Sequence, residues 1–441
     1  MTTPADVSVT WGQALAWRAD VGVGGSEVHT LAILDDRLYI GGEFDSVAGQ
    51  PRKNLAAVSV TTNELLPWDP RPDSTVFALA VNAGRVVVGG AFHGLGSEVH
   101  NRLGAIDLGT GTPLPFSARF RGLGRDRISV TTLEVQGDSV FAAGFCGPGN
   151  CRRSRYIARF DRQTGRMQRW NVPAGKPGDH DGFAGTYNAL AASGRRLYVG
   201  GGFQAIGGRP RENLAAVDTR TGRVTRWRAD TNGVIGDLLV HGHTLYLIGG
   251  FTRVDGHRRK GAAAIDLRSG RVTAWNPSVG LWDPDLGCCF LDAIVVAGQR
   301  VYLGGYFDRV GDHRRRYLVA VNRTDGRLER WNPRLNGGVN TLAVIGDTVY
   351  AGGRFTSVSG ARRKYIAAID AADGTPTAWN PDADGEVFHL LATPAGLLAD
   401  GGFDRLGGVN VEHFGLFPRV ETAAAHASAR SRLDRTALAP D

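Results

Sequence analysis

The chain has 441 residues, of which 42% are hydrophobic and 21% are charged, and it carries a formal net charge of +8. No segment has the length and apolarity that a membrane-spanning helix requires, and the first residues lack the basic and apolar regions of a secretory signal. The composition therefore excludes a transmembrane helix and, as the sequence is written, predicts a cytoplasmic location.

One sequence pattern recurs eight times along the chain. The fifth copy, from Ile235 to Asn276, contains Leu-Tyr-Leu-Ile-Gly-Gly-Phe, then Ala-Ala-Ala-Ile-Asp-Leu-Arg-Ser-Gly, then Arg-Val-Thr-Ala-Trp-Asn-Pro. The same tyrosine and tryptophan positions recur at a period of roughly 45–57 residues, with four short apolar runs in each unit, which is typical of propeller blades. The pattern therefore predicts an all-β protein built as a single closed β-propeller.

The seventh copy illustrates the strands expected in one blade. Apolar runs at Val339 to Ile345, Thr348 to Phe355, Tyr365 to Asp370 and Thr375 to Trp379 are separated by turn residues, which predicts four antiparallel strands. Glycine within a strand is costly unless another backbone must come close, so the pair Gly352-Gly353 and its equivalents are interpreted as packing sites between blades. No lysine-containing phosphate-loop pattern accompanies these glycines, so a nucleotide site is not predicted.

The two ends of the chain predict how the ring closes. The eighth copy begins at Val387 and lacks the final tryptophan strand, whereas Leu15 to Asp20 resembles an isolated fourth strand before the first copy. We therefore expect the N-terminal strand to complete the last of eight four-stranded blades, with seven blades as the alternative because the third copy is degraded. The predicted organisation is an extension at residues 1–10, a propeller at residues 11–419 and a flexible tail at residues 420–441.

The repeated motifs resemble the delta-sixty family of β-propeller repeats. The resemblance rests on Leu-Tyr-x-Gly-Gly-x-Phe, Leu-Ala-Ala-x-Asp and Trp-Asn-Pro, and it covers about residues 11 to 419. It implies the propeller fold and no general catalytic motif. Related proteins are often secreted or attached to a surface with additional domains, which the sequence as written does not indicate.

Arginines collect between the predicted second and third strands of successive repeats. The clearest groups are Arg258-Arg259 and Arg314-Arg315-Arg316. Equivalent loops lie on one face of the ring, so these side chains are expected to attract an anionic ligand, small or polymeric. An alternative is that one arginine in each blade has a structural role. Nucleic acid is not favoured, because no aromatic stacking residues alternate with the arginines.

Departures from the repeat mark a candidate site at the same face. The enlarged connection from Val172 to Thr186 contains Asp179, His180 and Asp181, and the connection from Ser278 to Phe290 contains Trp282, Asp283 and Asp285. Carboxylate and imidazole groups in these loops are candidates for acid/base catalysis. The ligand-binding candidates near the mouth are Arg258, Arg259, Arg314, Arg315, Arg316, Trp282, Tyr306, His29, Asn188, Asp292, Asn340 and His389.

Two functions from different classes follow from these residues. The first is a ligand-binding propeller, expected to be monomeric, that captures a polar or anionic ligand at one mouth of the channel. The alternative is a cofactor-independent lyase, cyclase or hydrolase that uses the same mouth.

No cofactor or metal is predicted. The segment Asp382 to Glu386 suggests calcium but lacks the full ligand pattern, and Cys146, Cys151, Cys288 and Cys289 lack the spacing of a zinc site. Either cysteine pair could form a disulfide or remain as thiols. Asp400 replaces the first glycine of its pair, either as an acid lining the channel or as a buried, hydrogen-bonded substitute.

Overall fold

A computed structural model of the chain describes residues 10–11, 27–62, 64–82, 84–116, 118, 128–146, 155–172, 186–280, 291–393, 396–411 and 413–420. Within these ranges all regular elements are β-strands, and none is a helix that could cross a membrane.

The strands form eight larger antiparallel sheets, numbered here in chain order. Sheet 1 contains Glu27–Leu34, Arg37–Glu43 and Leu55–Ser59; sheet 2 contains Val76–Asn82, Arg85–Gly90 and Leu103–Asp107. Sheet 3 contains Ile128–Gln136, Ser139–Cys146, Arg155–Asp161 and Met167–Val172; sheet 4 contains Thr186–Ser193, Arg196–Gly202 and Leu214–Asp218.

The second half of the chain repeats this arrangement. Sheet 5 contains Ile235–His241, Thr244–Gly249 and Ala262–Asp266; sheet 6 contains Leu291–Ala297, Arg300–Gly305 and Leu318–Asn322. Sheet 7 contains Val339–Ile345, Thr348–Gly353 and Ile366–Asp370; sheet 8 contains Val387–Ala392, Gly396–Gly401, Phe414–Val420 and Thr10–Trp11.

Short ribbons occupy most connections between the second and third strands of a sheet. Each pairs two-residue strands: Ser46–Val47 with Gln50–Pro51, Gly94–Leu95 with Glu98–Val99, Ala205–Ile206 with Arg209–Pro210, Arg253–Val254 with His257–Arg258, Arg309–Val310 with His313–Arg314, Ser357–Val358 with Ala361–Arg362, and Arg405–Leu406 with Val409–Asn410. Val279–Gly280, which follows sheet 5, joins the ribbon of sheet 6. Links between sheets and these ribbons therefore meet on one face, as the topology predicts.

The prediction of four regular strands in every sheet is wrong for six of the eight. Sheets 3 and 8 have four strands, and sheet 3 is the repeat that the sequence marks as degraded. Elsewhere the fourth segment retains a single bridge to the third strand, such as Val217 to Val224 in sheet 4.

The repeated tryptophans join neighbouring sheets. Trp331 donates a 2.8 Å hydrogen bond from Nε1 to the carbonyl oxygen of Asp370 in the following sheet. Its ring also makes an edge contact with Tyr302 of its own sheet, with the ring centroids 5.1 Å apart. Equivalent hydrogen bonds are donated by Trp68, Trp170, Trp227 and Trp275.

The first strand of each sheet, called here the inner strand, contacts the inner strand of the next sheet from sheet 1 through sheet 8. The first glycine of each pair permits this approach. A Cβ atom on Gly352 would lie 2.5 Å from Cγ1 of Val387 in sheet 8, which confirms the predicted packing between blades. A Cβ atom on Gly353 would lie 2.2 Å from the carbonyl oxygen of Gly338, next to its own sheet, so the prediction is wrong for the second glycine.

Sheet 8 also packs against sheet 1. One hydrophobic cluster joins Leu398, Phe414 and Leu416 of sheet 8 to Val28 and Leu38 of sheet 1. At the outer edge of sheet 8, Thr10 pairs with Val420 and Trp11 with Arg419. The segment Leu15 to Asp20, from which this pairing was predicted, lies outside the described residues.

Candidate ligand-binding site

Every inner strand contains a β-bulge near its first residue. In sheet 6 the pairing moves from Leu291 opposite Gly305 to Ala293 opposite Gly304, which leaves Asp292 as the extra residue. Bulges re-aim side chains and are frequent next to binding sites. We call the eight extra residues the inner ring: His29, Phe77, Thr131, Asn188, Gly236, Asp292, Asn340 and Phe388.

The inner ring brings together four residues that the sequence predicts as ligand contacts. His29, Asn188, Asp292 and Asn340 occupy equivalent positions on four different sheets. The residue before this position is hydrophobic in every sheet, whereas the residue type at the position itself changes from sheet to sheet. The inner ring is therefore where the repeat scaffold can be specialised.

Two asparagines of the inner ring also connect neighbouring sheets. Nδ2 of Asn188 donates a hydrogen bond to the carbonyl oxygen of Ile235, and Nδ2 of Asn340 donates one to the carbonyl oxygen of Val387. Each donor lies 3.0 Å from its acceptor. His29 lies against Phe77 of sheet 2, with the ring centroids 5.2 Å apart. These contacts fix the ring members relative to one another, so part of their polarity serves the scaffold.

Two aspartates on adjacent inner strands have unusual proton affinity. Burial raises the pKa of Asp292 to about 6, although its side chain remains accessible to solvent. Burial also raises the pKa of Asp237, which occupies the position after the bulge in sheet 5 and accepts a 2.7 Å hydrogen bond from the Leu238 amide. Both carboxyls are close enough to surrounding protein to be partly desolvated, yet both remain accessible to water.

His389 occupies the position after the bulge in sheet 8 and pairs with Asp400 on the neighbouring strand. Nδ1 of His389 lies 2.9 Å from Oδ1 of Asp400, and the side chains are 54% and 1% exposed, respectively. The Asp400 carboxylate raises the pKa of His389, and burial raises the pKa of Asp400. The interpretation of Asp400 as a buried, hydrogen-bonded substitute for glycine is therefore confirmed.

A second polar cluster crosses sheets 6, 7 and 8. Oε1 of Glu386 accepts hydrogen bonds from Nε of Arg354 at 2.6 Å and from Nδ2 of Asn340 at 2.8 Å. The ring of Tyr306 covers Gly338, where a Cβ atom would lie 2.3 Å from Cζ, and burial raises the pKa of Tyr306. Asn340 and Tyr306 thus lie next to an ion pair that the sequence did not reveal.

The arginines divide into bonded and exposed groups. Arg259 donates to the carbonyl oxygens of Thr273 at 2.5 Å and Arg258 at 2.8 Å, and Arg315 donates to that of Arg314 at 3.1 Å. Bonds equivalent to the one between Arg259 and Thr273 are made by Arg52, Arg211 and Arg363. One arginine in each of these repeats therefore supports its own sheet, whereas Arg258, Arg314 and Arg316 are exposed.

Several candidates lie outside the described residues. They are the catalytic candidates Asp179, His180, Asp181, Asp283 and Asp285, the aromatic candidate Trp282, and Cys151, Cys288 and Cys289. The carboxylates suggested for calcium already accept other bonds: Asp382 from Arg362, Glu386 from Arg354, and Asp384 from two backbone amides. In the described part of the chain, no group of three or more His, Cys, Asp or Glu residues is arranged to hold a metal.

Comparison with known proteins identifies the fold. A family model described as outer membrane protein assembly factor BamB matches residues 153–403, and a model of a β-propeller domain of unknown function (DUF5122) matches residues 34–56. No curated protein matches the sequence.

Two solved structures show the same architecture over nearly the whole chain. The computationally designed Ika8 protein is 16% identical, with a TM-score of 0.57, and the match covers 93% of this chain and 100% of Ika8. BamB from Moraxella catarrhalis is 16% identical, with a TM-score of 0.52 and the same coverage. At this identity the likeness shows the β-propeller fold alone.

Proposed function

The chain belongs to the β-propeller family described as outer membrane protein assembly factor BamB, and on this premise we propose that it binds a polar, anionic ligand at one mouth of its channel. The observation that carries the proposal is the inner ring. Its bulges place residues that vary between repeats at the face where the exposed arginines also lie. Ligands of closed repeat folds commonly bind at such a mouth.

The charge distribution supports an anion. Arg258, Arg314 and Arg316 are exposed on the ribbons at this face, and attraction by such charges raises the local concentration of an anionic ligand. Inside the mouth, the raised pKa values of Asp237, Asp292 and His389 favour proton uptake, for Asp292 at about pH 6. Proton uptake lowers the negative charge that an anion meets.

Calorimetric titration with hexaglutamate tests this proposal. The variant in which Arg258, Arg314 and Arg316 are all changed to Gln is expected to bind at least about tenfold more weakly at low salt, because each exposed charge contributes to attraction. The matched control changes Arg268, Arg271 and Arg327, which are exposed in the turns at the other ends of the strands. Equal losses in the two triple variants, or no binding by the wild type, would reject the proposal.

A second candidate function is acid/base catalysis without a cofactor by a lyase, cyclase or hydrolase. It is favoured by a specific observation: a histidine oriented by a buried carboxylate lies on the inner strand of sheet 8, and an aspartate with a pKa raised to about 6 lies on the inner strand of sheet 6. Recovery of a chemically altered ligand after incubation with the wild type, and not with His389→Gln, would establish this function.

We further propose eight blades of delta-sixty type, closed by pairing of Thr10–Trp11 with the last strand of sheet 8. The support is the packing of sheet 8 on sheet 1 together with that pairing. Removing residues 1–20 would expose an unpaired strand edge and lower the melting temperature, whereas removing residues 421–441 provides a control of similar length. If the first truncation melts like the full chain, closure by this strand is wrong.

A further inference from the structure

The pair of His389 and Asp400 occurs in sheet 8, and the equivalent positions in the other seven sheets show what the repeat uses in its place. The position of Asp400 is held by Gly41, Gly89, Ala143, Gly200, Ile248, Gly304 and Gly352 in sheets 1 to 7. The position of His389 is held by Thr30, Ala78, Thr132, Ala189, Asp237, Ala293 and Thr341. Seven sheets fold without a histidine–aspartate pair, so the fold itself does not require one.

The geometry of the pair is unfavourable for stability alone. Asp400 is completely buried, and its Oδ2 has no hydrogen-bond partner in the described part of the chain. A buried polar atom without a partner costs about 1–3 kcal/mol, whereas glycine at this position would leave no polar atom to satisfy. A residue that lowers stability in a position where the repeat uses glycine is expected to serve another purpose.

The pair lies at the junction between the last and first sheets. Val28, next to the inner-ring residue His29, belongs to the same hydrophobic cluster as Leu398 of the strand that carries Asp400. The His29 imidazole interacts electrostatically with the Asp400 carboxyl and opposes the rise of the Asp400 pKa. Two imidazoles from different sheets therefore interact with one carboxyl group, His389 through a hydrogen bond and His29 electrostatically.

The exposed edge of His389 determines what the pair can bind. Nδ1 is engaged with Asp400, and the half-exposed ring leaves Nε2 as the nitrogen available to a ligand. An imidazolium donates hydrogen bonds from both nitrogens, so Nε2–H can donate to an oxygen acceptor in the channel. An oxyanion is the group that gains most from a charged donor.

We propose that His389, oriented by Asp400, is a proton-linked binding site for an oxyanion of the carboxylate or sulfate/phosphate type at the junction of sheets 8 and 1. The site deepens the proposed function, on which it rests, by naming the contact made by the anionic group of the ligand. Among the described residues, the ionisable groups on the surrounding elements include Asp400, His29 on the inner strand of sheet 1, His413 with its Nδ1 3.1 Å from the Gly401 carbonyl oxygen, and the ion pair of Glu386 with Arg354.

Protonation of His389 couples binding to pH. The ligand binds the imidazolium and not the neutral ring, so affinity falls as pH rises through the raised pKa of His389. Asp400 keeps that pKa high, which extends binding toward neutral pH. Replacing Asp400 by a neutral residue should therefore move the loss of affinity to lower pH.

The experiment titrates sulfate and, separately, acetate into the full chain between pH 5.5 and 8 while histidine ring signals are followed by NMR. Sulfate keeps its charge over this range, and acetate tests the carboxylate class. Above the pKa of His389, the affinity of the wild type for sulfate is expected to fall about tenfold for each pH unit, because binding is linked to one proton. Addition of sulfate should raise the apparent pKa of His389.

Three variants decide the assignment. His389→Gln should abolish the pH dependence, and Asp400→Asn should shift it to lower pH while the isosteric side chain preserves packing. His243→Gln, in an exposed hairpin at the other end of the strands, should match the wild type. Wild-type pH dependence in His389→Gln would overturn the proposal, as would an unchanged midpoint in Asp400→Asn.

The outcome also separates this inference from the proposed function. If hexaglutamate binds through the exposed arginines while His389→Gln changes neither its affinity nor that of sulfate, the ligand-binding function stands and the histidine site is wrong. If hexaglutamate, sulfate and acetate all fail to bind the wild type, both proposals are wrong.

Discussion

Replacing Asp400 by glycine should stabilise the protein, because it restores the residue found in most other sheets. The unpartnered Oδ2 costs about 1–3 kcal/mol, and the added backbone freedom of glycine offsets about 0.5–1 kcal/mol of the gain. His389 is half-exposed and can bond to water instead, so loss of its partner adds little. The expected net stabilisation at pH 8 is about 1 kcal/mol.

The sign of the pH dependence provides a stricter test. The folded-state pKa values of both His389 and Asp400 are raised, so their contribution to wild-type stability is fully present at low pH and is lost as pH rises through those values. Asp400→Gly lacks this linkage. Its advantage over the wild type should therefore increase from pH 5.5 to pH 8.

Urea denaturation at the two pH values measures the difference, with Asp400→Asn as a variant that removes the charge but keeps the side-chain volume. A glycine variant that is less stable than the wild type at both pH values would show that Asp400 supports the fold. The argument that the aspartate is retained for binding would then be refuted.

Three further predictions concern the scaffold and the carboxyl group of Asp292. Gly352→Ala should lower the free energy of unfolding by about 1–3 kcal/mol through a clash with Val387, whereas Gly250→Ala, which has open space around its Cβ position, should be nearly neutral in the same urea assay. Arg259→Gln should lower the free energy of unfolding by about 1–2 kcal/mol, because two hydrogen bonds to backbone carbonyls are lost. The neighbouring Arg258→Gln should change it by no more than about 0.5 kcal/mol. Equal effects would contradict the division into bonded and exposed arginines. Carboxyl NMR should find a pKa of about 6 for Asp292, whereas an ordinary pKa near 4 would contradict the effect of burial. Because this pKa is raised on folding, the stability of Asp292→Asn relative to the wild type should increase between pH 5 and 8. The increase should be less than about 1 kcal/mol, since the carboxyl is exposed.

The sequence predicts the scaffold well because equivalent positions can be compared across the repeats. The first three strands of each sheet, the packing of Gly352 against the next sheet, and the location of His29, Asn188, Asp292 and Asn340 near the starts of the inner strands follow from periodicity and from the alternation of strand direction. The fourth strand was predicted in every sheet, but in six of the eight sheets this segment keeps only a single bridge to its third strand.

Side-chain pairing was harder to predict, since it depends on register. The sequence marks Asp400 as a departure from glycine and His389 as a separate candidate, and only the pairing of their strands places them opposite each other. The bulge shifts that register by one residue, which a simple hairpin count does not include. Asp237 was missed, although it occupies the position of His389 in the fifth repeat.

The arginines illustrate why residue type alone does not reveal a role. Arg258 and Arg259 are adjacent in sequence, yet one is exposed and the other donates two hydrogen bonds to backbone carbonyls. The repeated spacing of 14 residues between the bonded arginine and its acceptor, also seen for Arg363 and Thr377, is a signal that could have separated them.

Crystals grown or soaked with selenate at pH 6 would test the binding of an anion at this mouth most directly, because the anomalous signal of selenium locates the ion without ambiguity. The account predicts a selenium peak at the junction of sheets 8 and 1, with a selenate oxygen about 2.7–2.9 Å from Nε2 of His389, and loss of that peak in His389→Gln. Selenate bound only at exposed arginines away from the inner ring, at concentrations that saturate sulfate binding in solution, would contradict it.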